Sequence, residues 1–148
     1  MILKRTACIA AIAAMATAGL AACGSSDNKS GSKGGGSAKA KAKVGIILPD
    51  TKSSVRWENF DLPVLTKAFK DAGIPAVIQN AENDKQRMQT IADQMITSGV
   101  TILAIVNLDS NSGAAIEQKA KAQGVQTIDY DRLTLGGSAD YYVSFDGV

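Results

Sequence analysis

Three short stretches of this chain place polar or aromatic side chains directly behind apolar runs, where a ligand could reach them. Arg56-Trp57 follows the run Val44-Gly45-Ile46-Ile47-Leu48. An indole is a flat apolar plate able to stack on the C–H face of a sugar ring, and an arginine fork donates paired hydrogen bonds to hydroxyls. Asp131-Arg132, within Asp129-Tyr130-Asp131-Arg132, follows Val125-Gln126-Thr127-Ile128. An aspartate beside an arginine offers acceptors and donors together, which suits a ligand whose hydroxyls both give and take hydrogen bonds. Asn107, in Asn107-Leu108-Asp109-Ser110, follows Ile102-Leu103-Ala104-Ile105-Val106, and its amide could reach the same place. Spacing alone leaves plainer roles open: Trp57 packing a helix start, Asp131 and Arg132 forming a strand-end ion pair, and Asp109 or Ser110 capping a helix.

Those residues must be held by the elements around them. The apolar runs are short and β-branched, and Pro49-Asp50 ends the first, so they read as buried strands. Strands are expected at Val44–Leu48, Ala76–Ile78, Ile102–Val106, Val125–Ile128 and Tyr141–Phe145. Between Trp57 and Ala72 the apolar positions Phe60, Val64, Ala68, Phe69 and Ala72 recur at helical spacing, and Gly73 stops the helix. Pro63 requires either a later start capped by Asp61 or Leu62, or a kinked first turn. A second helix begins at Asn83 or Asp84, carries the stripe Met88, Ile91, Ala92, Met95 and Ile96, and closes at Gly99. A third runs from Ser110 to Ala122 and is stopped by Gly124. Strand–helix alternation with tight connections predicts an α/β fold, a doubly wound and mainly parallel sheet with helices on both faces. Ligands of such sheets bind outside the carboxyl ends of the strands, which is where Arg56, Trp57, Asn107, Asp131 and Arg132 fall.

The N-terminus carries an address. Lys4-Arg5 is a short basic start, and Thr6 to Leu20 is an apolar run of roughly 15 residues, shorter than the about 20 a membrane span needs. It fits the core of a secretory signal. The run ends in Leu20-Ala21-Ala22-Cys23-Gly24, a lipobox-like pattern in which small residues precede a cysteine that is lipid-modified and becomes the new N-terminus. Residues 1–22 are therefore expected to be a lipoprotein signal peptide, with Cys23 the lipidation site. Residues 23–43 are rich in Gly, Ser, Lys and Ala, with too little apolar surface to bury, so they are expected to be a flexible tether. Residues 44–148 remain as the folded domain of the 148-residue chain.

Composition narrows the function. Losing Lys4 and Arg5 with the signal leaves 14 basic against 14 acidic residues, a neutral balance that argues against nucleic acid as a partner. Cys8 lies in the signal, so no disulfide forms within the mature chain. There is no histidine, no Gly-rich phosphate loop after the first strand and no nucleophile elbow. A carboxylate pair such as Asp129 and Asp131 is left open, but nothing else in the pattern supports an enzyme. A non-enzyme with no catalytic residues, no cofactor and no metal is expected.

From Lys43 to Val148 the chain resembles the N-terminal lobe of the type I periplasmic sugar-binding proteins that serve ABC transporters, and within them the xylose-binding branch. The resemblance rests on Val44-Gly45-Ile46-Ile47-Leu48, Val55-Arg56-Trp57-Glu58, Ser98-Gly99-Val100-Thr101-Ile102-Leu103-Ala104-Ile105, Ala120-Lys121-Ala122-Gln123-Gly124-Val125, Tyr130-Asp131-Arg132 and Tyr142-Val143-Ser144-Phe145-Asp146, in that order. The Arg-Trp pair and the Tyr-Asp-Arg run favour the xylose branch over ribose receptors, which carry an aromatic pair at the first position. The resemblance implies that Asp131 and Arg132 grip sugar hydroxyls, that Arg56 and Trp57 complete the near wall, and that Asn107 and Asp146 are lesser contacts. It also implies a monosaccharide ligand, an aldopentose such as xylose, ABC permease subunits as partners, and a monomer held by its lipid on the extracytoplasmic face of the cell membrane. A sugar-sensing lipoprotein signalling to a membrane kinase or chemoreceptor would use the same residues. The family has two lobes that close on the sugar about a hinge. With only the first lobe present, the chain is expected to bind monosaccharide weakly or not at all.

Overall fold

The computed structural model describes residues 42–145. The expected signal peptide, Cys23, most of the tether and Asp146 lie outside the described residues. Five strands form one parallel sheet in the order β2-β1-β3-β4-β5. These are β1 (Val44–Leu48), β2 (Ala76–Asn80), β3 (Ile102–Ile105), β4 (Gln126–Tyr130) and β5 (Tyr141–Val143). The chain leaves β1 for one edge through helix α1 (Leu62–Asp71). It returns through α2 (Lys85–Thr97) to β3, then runs to the other side through α3 (Ser110–Ala122). The order therefore reverses between β1 and β3, so the loops after these two strands part at the switch point, where doubly wound sheets bind ligands.

The alternation of strand side chains divides the core in two. Ile47, Leu103 and Ile105 face α2 and α3, and pack with Met88, Ile91, Met95, Ile116 and Ala120. Val44, Ile46 and Leu48 face the opposite way, toward Trp57, Leu62, Leu65 and Phe69 of the α1 side. Gly45 lies under α2, where a Cβ would come within 2.7 Å of Met95 Sδ and 3.0 Å of Leu103 Cδ1. Its missing side chain sets how closely α2 approaches β1.

Asp84 caps α2 by accepting from the N–H groups of Gln86 and Arg87, and Asp109 caps α3 by accepting from those of Asn111 and Ser112. The α3 boundaries are the expected ones. β2 and β4 run two residues further than expected, because parallel pairing continues past the apolar stretch to Leu48↔Asn80 and beyond Asp129 to Tyr130↔Val143. β3 and β5 stop short of their expected ends.

The first helix departs from expectation. A single π-helical turn, Trp57–Asp61, precedes α1, and Leu62 donates five residues back to Trp57. Pro63 falls in the first turn of α1, where its missing N–H leaves no bond unmade. The extra residue in the wide turn shifts the helical phase. As a result Phe60 and Val64 are 62% and 63% exposed, while Trp57, Leu62, Leu65 and Phe69 supply the packed face. Asp61 makes no capping bond, and its carboxylate is used elsewhere.

Candidate functional site

The loops after β1, β3 and β4 meet over the carboxyl ends of the strands. Asp50 fixes the first: its carboxylate accepts from the N–H groups of Lys52 and Ser53 and from Ser53 Oγ. Burial alone would raise its pKa, but these bonds and the charge of Arg132 hold it below the ordinary value. From that loop the chain enters the wide turn that presents Arg56 and Trp57.

Arg56 sits between two carboxylates. Its Nε donates to Asp61 Oδ2 at 2.8 Å and its Nη1 to Asp131 Oδ1 at 2.7 Å. Tyr130 Oη donates to the other oxygen of Asp61 at 2.5 Å. Burial would lower the Arg56 pKa, yet the bonds to Asp131, Tyr130 and Asp61 outweigh it and raise it. Burial and Asp61 likewise push the Tyr130 phenol up. The β1 turn and the end of β4 are thus joined by one charged network.

Asp131 holds a left-handed backbone conformation, φ 65°, which an aspartate tolerates better than most residues. Its N–H donates to Val143 O on β5 at 2.7 Å, and its carbonyl accepts from Tyr142 Oη and Ser144 Oγ. That turn points the next residue, Arg132, toward β3, where its Nη1 donates to the carbonyl of Asn107 at 3.2 Å. Asn107 answers through Nδ2 to Arg132 O at 3.2 Å and Thr134 Oγ1 at 2.7 Å.

Trp57 lies beneath this cluster. The guanidinium carbons of Arg56 and Arg132 lie 4.5 and 5.7 Å from its ring centroid, and Tyr130 meets it edge-on at 6.5 Å. Such contacts attract a cation to the ring face. The indole is 2% exposed, so it does not offer the open plate expected for stacking on a ligand. It is the floor on which two arginines rest. Its Nε1 is buried and has no hydrogen-bond partner among the described residues.

The structure therefore brings together Arg56, Trp57, Asn107, Asp131 and Arg132. Asp131 pairs with Arg56, not with its neighbour Arg132, and Asn107 is spent on holding the loop. Asp61, Tyr130 and Thr134 also belong to the cluster; none was expected as a ligand contact, although Tyr130 stood in the Tyr130-Asp131-Arg132 run. The one signal for Asp61 was its place just before a Leu-Pro helix start, which read as a cap. Among the described residues no group of three or more His, Cys, Asp or Glu is arranged to hold a metal ion.

Chemically the cluster presents two guanidinium groups and the Asp131 carboxylate on a rigid aromatic base. That arrangement can donate and accept hydrogen bonds toward a neutral polar ligand without a nucleophile or a proton-transfer pair. A doubly wound parallel sheet with such groups above its switch point defines an α/β ligand-binding domain. Residues 44–148 match the model of the periplasmic binding protein domain, and the chain belongs to that family. Over 110 residues it is 36% identical to the multiple sugar-binding periplasmic protein SbpA of Azospirillum brasilense, covering 74% of this chain and 30% of that protein. It is 27% identical over 106 residues to the D-xylose-binding periplasmic protein of Escherichia coli, covering 72% and 32%. A crystal structure of an ABC transporter solute binding protein from Clostridium phytofermentans with bound β-D-glucose superposes with a TM-score of 0.64 at 34% identity, over 70% of this chain and 32% of that one. The chain spans 30% of the length of the first curated relatives it matches.

Proposed function

We propose that this chain supplies one wall of a monosaccharide site in the substrate-binding lipoprotein of a sugar ABC transporter, held outside the membrane by lipid on Cys23 and handing its sugar to the permease. The observation that carries the proposal is the joining of Arg56, from the loop after β1, with Asp131 and Arg132, from the loop after β4, into one cluster at the switch point. Guanidinium donors beside a carboxylate acceptor match the alternating donor and acceptor character of sugar hydroxyls. The sugars named for its relatives support an aldose. Xylose and glucose both occur among them, so the pentose preference expected from Arg56-Trp57 and Tyr130-Asp131-Arg132 is one half of a direct comparison.

A wall that touches one side of the ligand leaves the rest of it solvated, so weak binding is expected of this chain by itself. The test is an NMR titration of the isotopically labelled mature chain. Xylose or glucose is expected to shift the backbone signals of Asp131 and Arg132, while leucine, an apolar amino acid, leaves them in place. Signals unmoved by either sugar at concentrations on the order of 100 mM, about a hundredfold above a millimolar Kd, would contradict the proposal.

A further inference from the structure

Behind the loop that carries Asp131 and Arg132 lies a pair of carboxyl groups closed off from water. Glu117, on α3, is 0% exposed, and Asp129, on β4, is 1% exposed. Asp129 takes both donors that Thr134 offers, the N–H at 2.6 Å and the hydroxyl at 2.7 Å. Glu117 accepts from the N–H of Ser138 through Oε2. The other oxygen of Glu117, Oε1, is buried and has no partner. The space is built for this carboxyl: a Cβ on Gly137 would stand 2.9 Å from Oε1, and one on Gly113 would stand 2.8 Å from Thr134 Oγ1.

An ionised Glu117 would set an unpaired oxygen against the Asp129 carboxylate in a dry pocket, at a large cost. The groups that face it are Asp129 from β4 and the neutral Thr134, Gly137 and Ser138 of the loop. Among the described residues no lysine or arginine bonds to it. A proton on Oε1 removes the conflict, because the acid then donates toward Asp129 while still accepting from Ser138.

Resting on the assignment of Asp131 and Arg132 as sugar contacts, we propose that Glu117 is a positioning residue: a neutral carboxylic acid that donates to Asp129 and accepts from Ser138, so pinning both ends of the 129–138 loop. Asp131 sits inside that loop in its left-handed conformation, and Arg132 is aimed by it. Burial raises the pKa of Glu117, the nearby Asp129 raises it further, and the Ser138 N–H opposes both. The folded pKa is thus above the ordinary 4.5. The clamp is complete at pH values below the folded pKa. As pH rises through it, the proton leaves to solvent and the loop loosens.

The experiment is a pH titration of the full chain by NMR, following the Glu117 carboxyl carbon together with the amide signals of Asp131 and Arg132. The expected result is a Glu117 transition above the ordinary carboxylate range, with the two amides moving in the same step. Glu117→Gln keeps one donor and one acceptor, and is expected to hold those amides at their low-pH positions throughout. Glu117→Leu is expected to displace them at every pH. Should the leucine variant fail to fold, the wild-type and glutamine titrations decide the matter. A Glu117 transition in the ordinary range, or amides indifferent to it, would overturn the inference. No sugar enters this experiment, so its failure is separate from any failure of the sugar site.

Discussion

Arg56 Nη1 donates to Asp131 Oδ1 at 2.7 Å across 75 residues of sequence. The same guanidinium donates from Nε to Asp61, so one side chain bridges two carboxylates and ties the turn after β1 to the end of β4. Arg56→Ala leaves both carboxylates facing each other. With the Arg56 side chain 37% exposed, solvent screening reduces the effect, and a loss of about 1–2 kcal/mol in urea unfolding is expected. Arg56→Lys is expected to recover less than half of it, since a point charge cannot reproduce the fork. A fully stable lysine variant would count against the two-carboxylate geometry.

Trp57 is the single tryptophan of the chain and stands in the core as well as under the site. Trp57→Ala is expected to destabilise the domain by about 3–5 kcal/mol, a large share of the total for a domain of this size. Trp57→Phe keeps a ring beneath the arginines and deletes an N–H that has no partner among the described residues, so a loss of about 1–2 kcal/mol is expected. Chemical unfolding followed by circular dichroism measures both. Alanine tolerated within about 1 kcal/mol would show that the indole is not the packed floor described.

Much of this was legible from sequence, and the exceptions share a cause. The strand–helix order, the span of α3 and the gathering of Arg56, Asn107, Asp131 and Arg132 at strand ends all follow from apolar periodicity and the rule for open parallel sheets. The face of the first helix did not follow. Phe60 and Val64 fit a regular helical stripe, but with the wide turn before Pro63 they face solvent, and Leu62 and Leu65 join the expected Phe69 on the packed face. Periodicity assumes constant pitch, and one π-helical turn breaks that assumption. Pairing failed for a different reason. Asp131 has a neighbouring arginine, yet its left-handed backbone sends the two side chains to different partners, Arg56 and the Asn107 carbonyl. A dihedral angle fixed by β5 and the loop has no signature in residue spacing.

The cap of α3 gives a pH signature. Asp109 accepts from the side chain and N–H of Ser112, with Lys85 nearby, and these lower its pKa from 3.8 to about 2. A depressed folded pKa stabilises the fold above the unfolded value, and that contribution is lost as pH falls through the folded one. Asp109→Ala is therefore expected to cost about 1 kcal/mol near neutrality. The gap between wild type and variant should narrow between pH 3.8 and about 2. Thermal or urea unfolding at each pH measures it, and a gap independent of pH would contradict the charged cap.

Expression in a bacterial host tests the N-terminal assignment. The mature protein is expected to begin at Cys23 with a diacylglyceryl mass increment and to fractionate with membranes, while Cys23→Ser moves it to the soluble fraction. Intact-mass spectrometry reads the first property and fractionation the second. A wild-type protein that retains Met1, or that is cleaved without lipid, would exclude the anchor.

Asp131 and Arg132 are proposed to contact sugar, and Arg132 offers the cleanest test because, among the described residues, its guanidinium makes one hydrogen bond, to the Asn107 carbonyl. Sugar affinity of wild type and Arg132→Ala should be compared by NMR titration, with signals of α2 and α3 confirming that the fold is kept. A loss of at least about tenfold is expected for the variant, equivalent to about 1.4 kcal/mol. Equal affinity of a folded Arg132→Ala protein for xylose and glucose would contradict it.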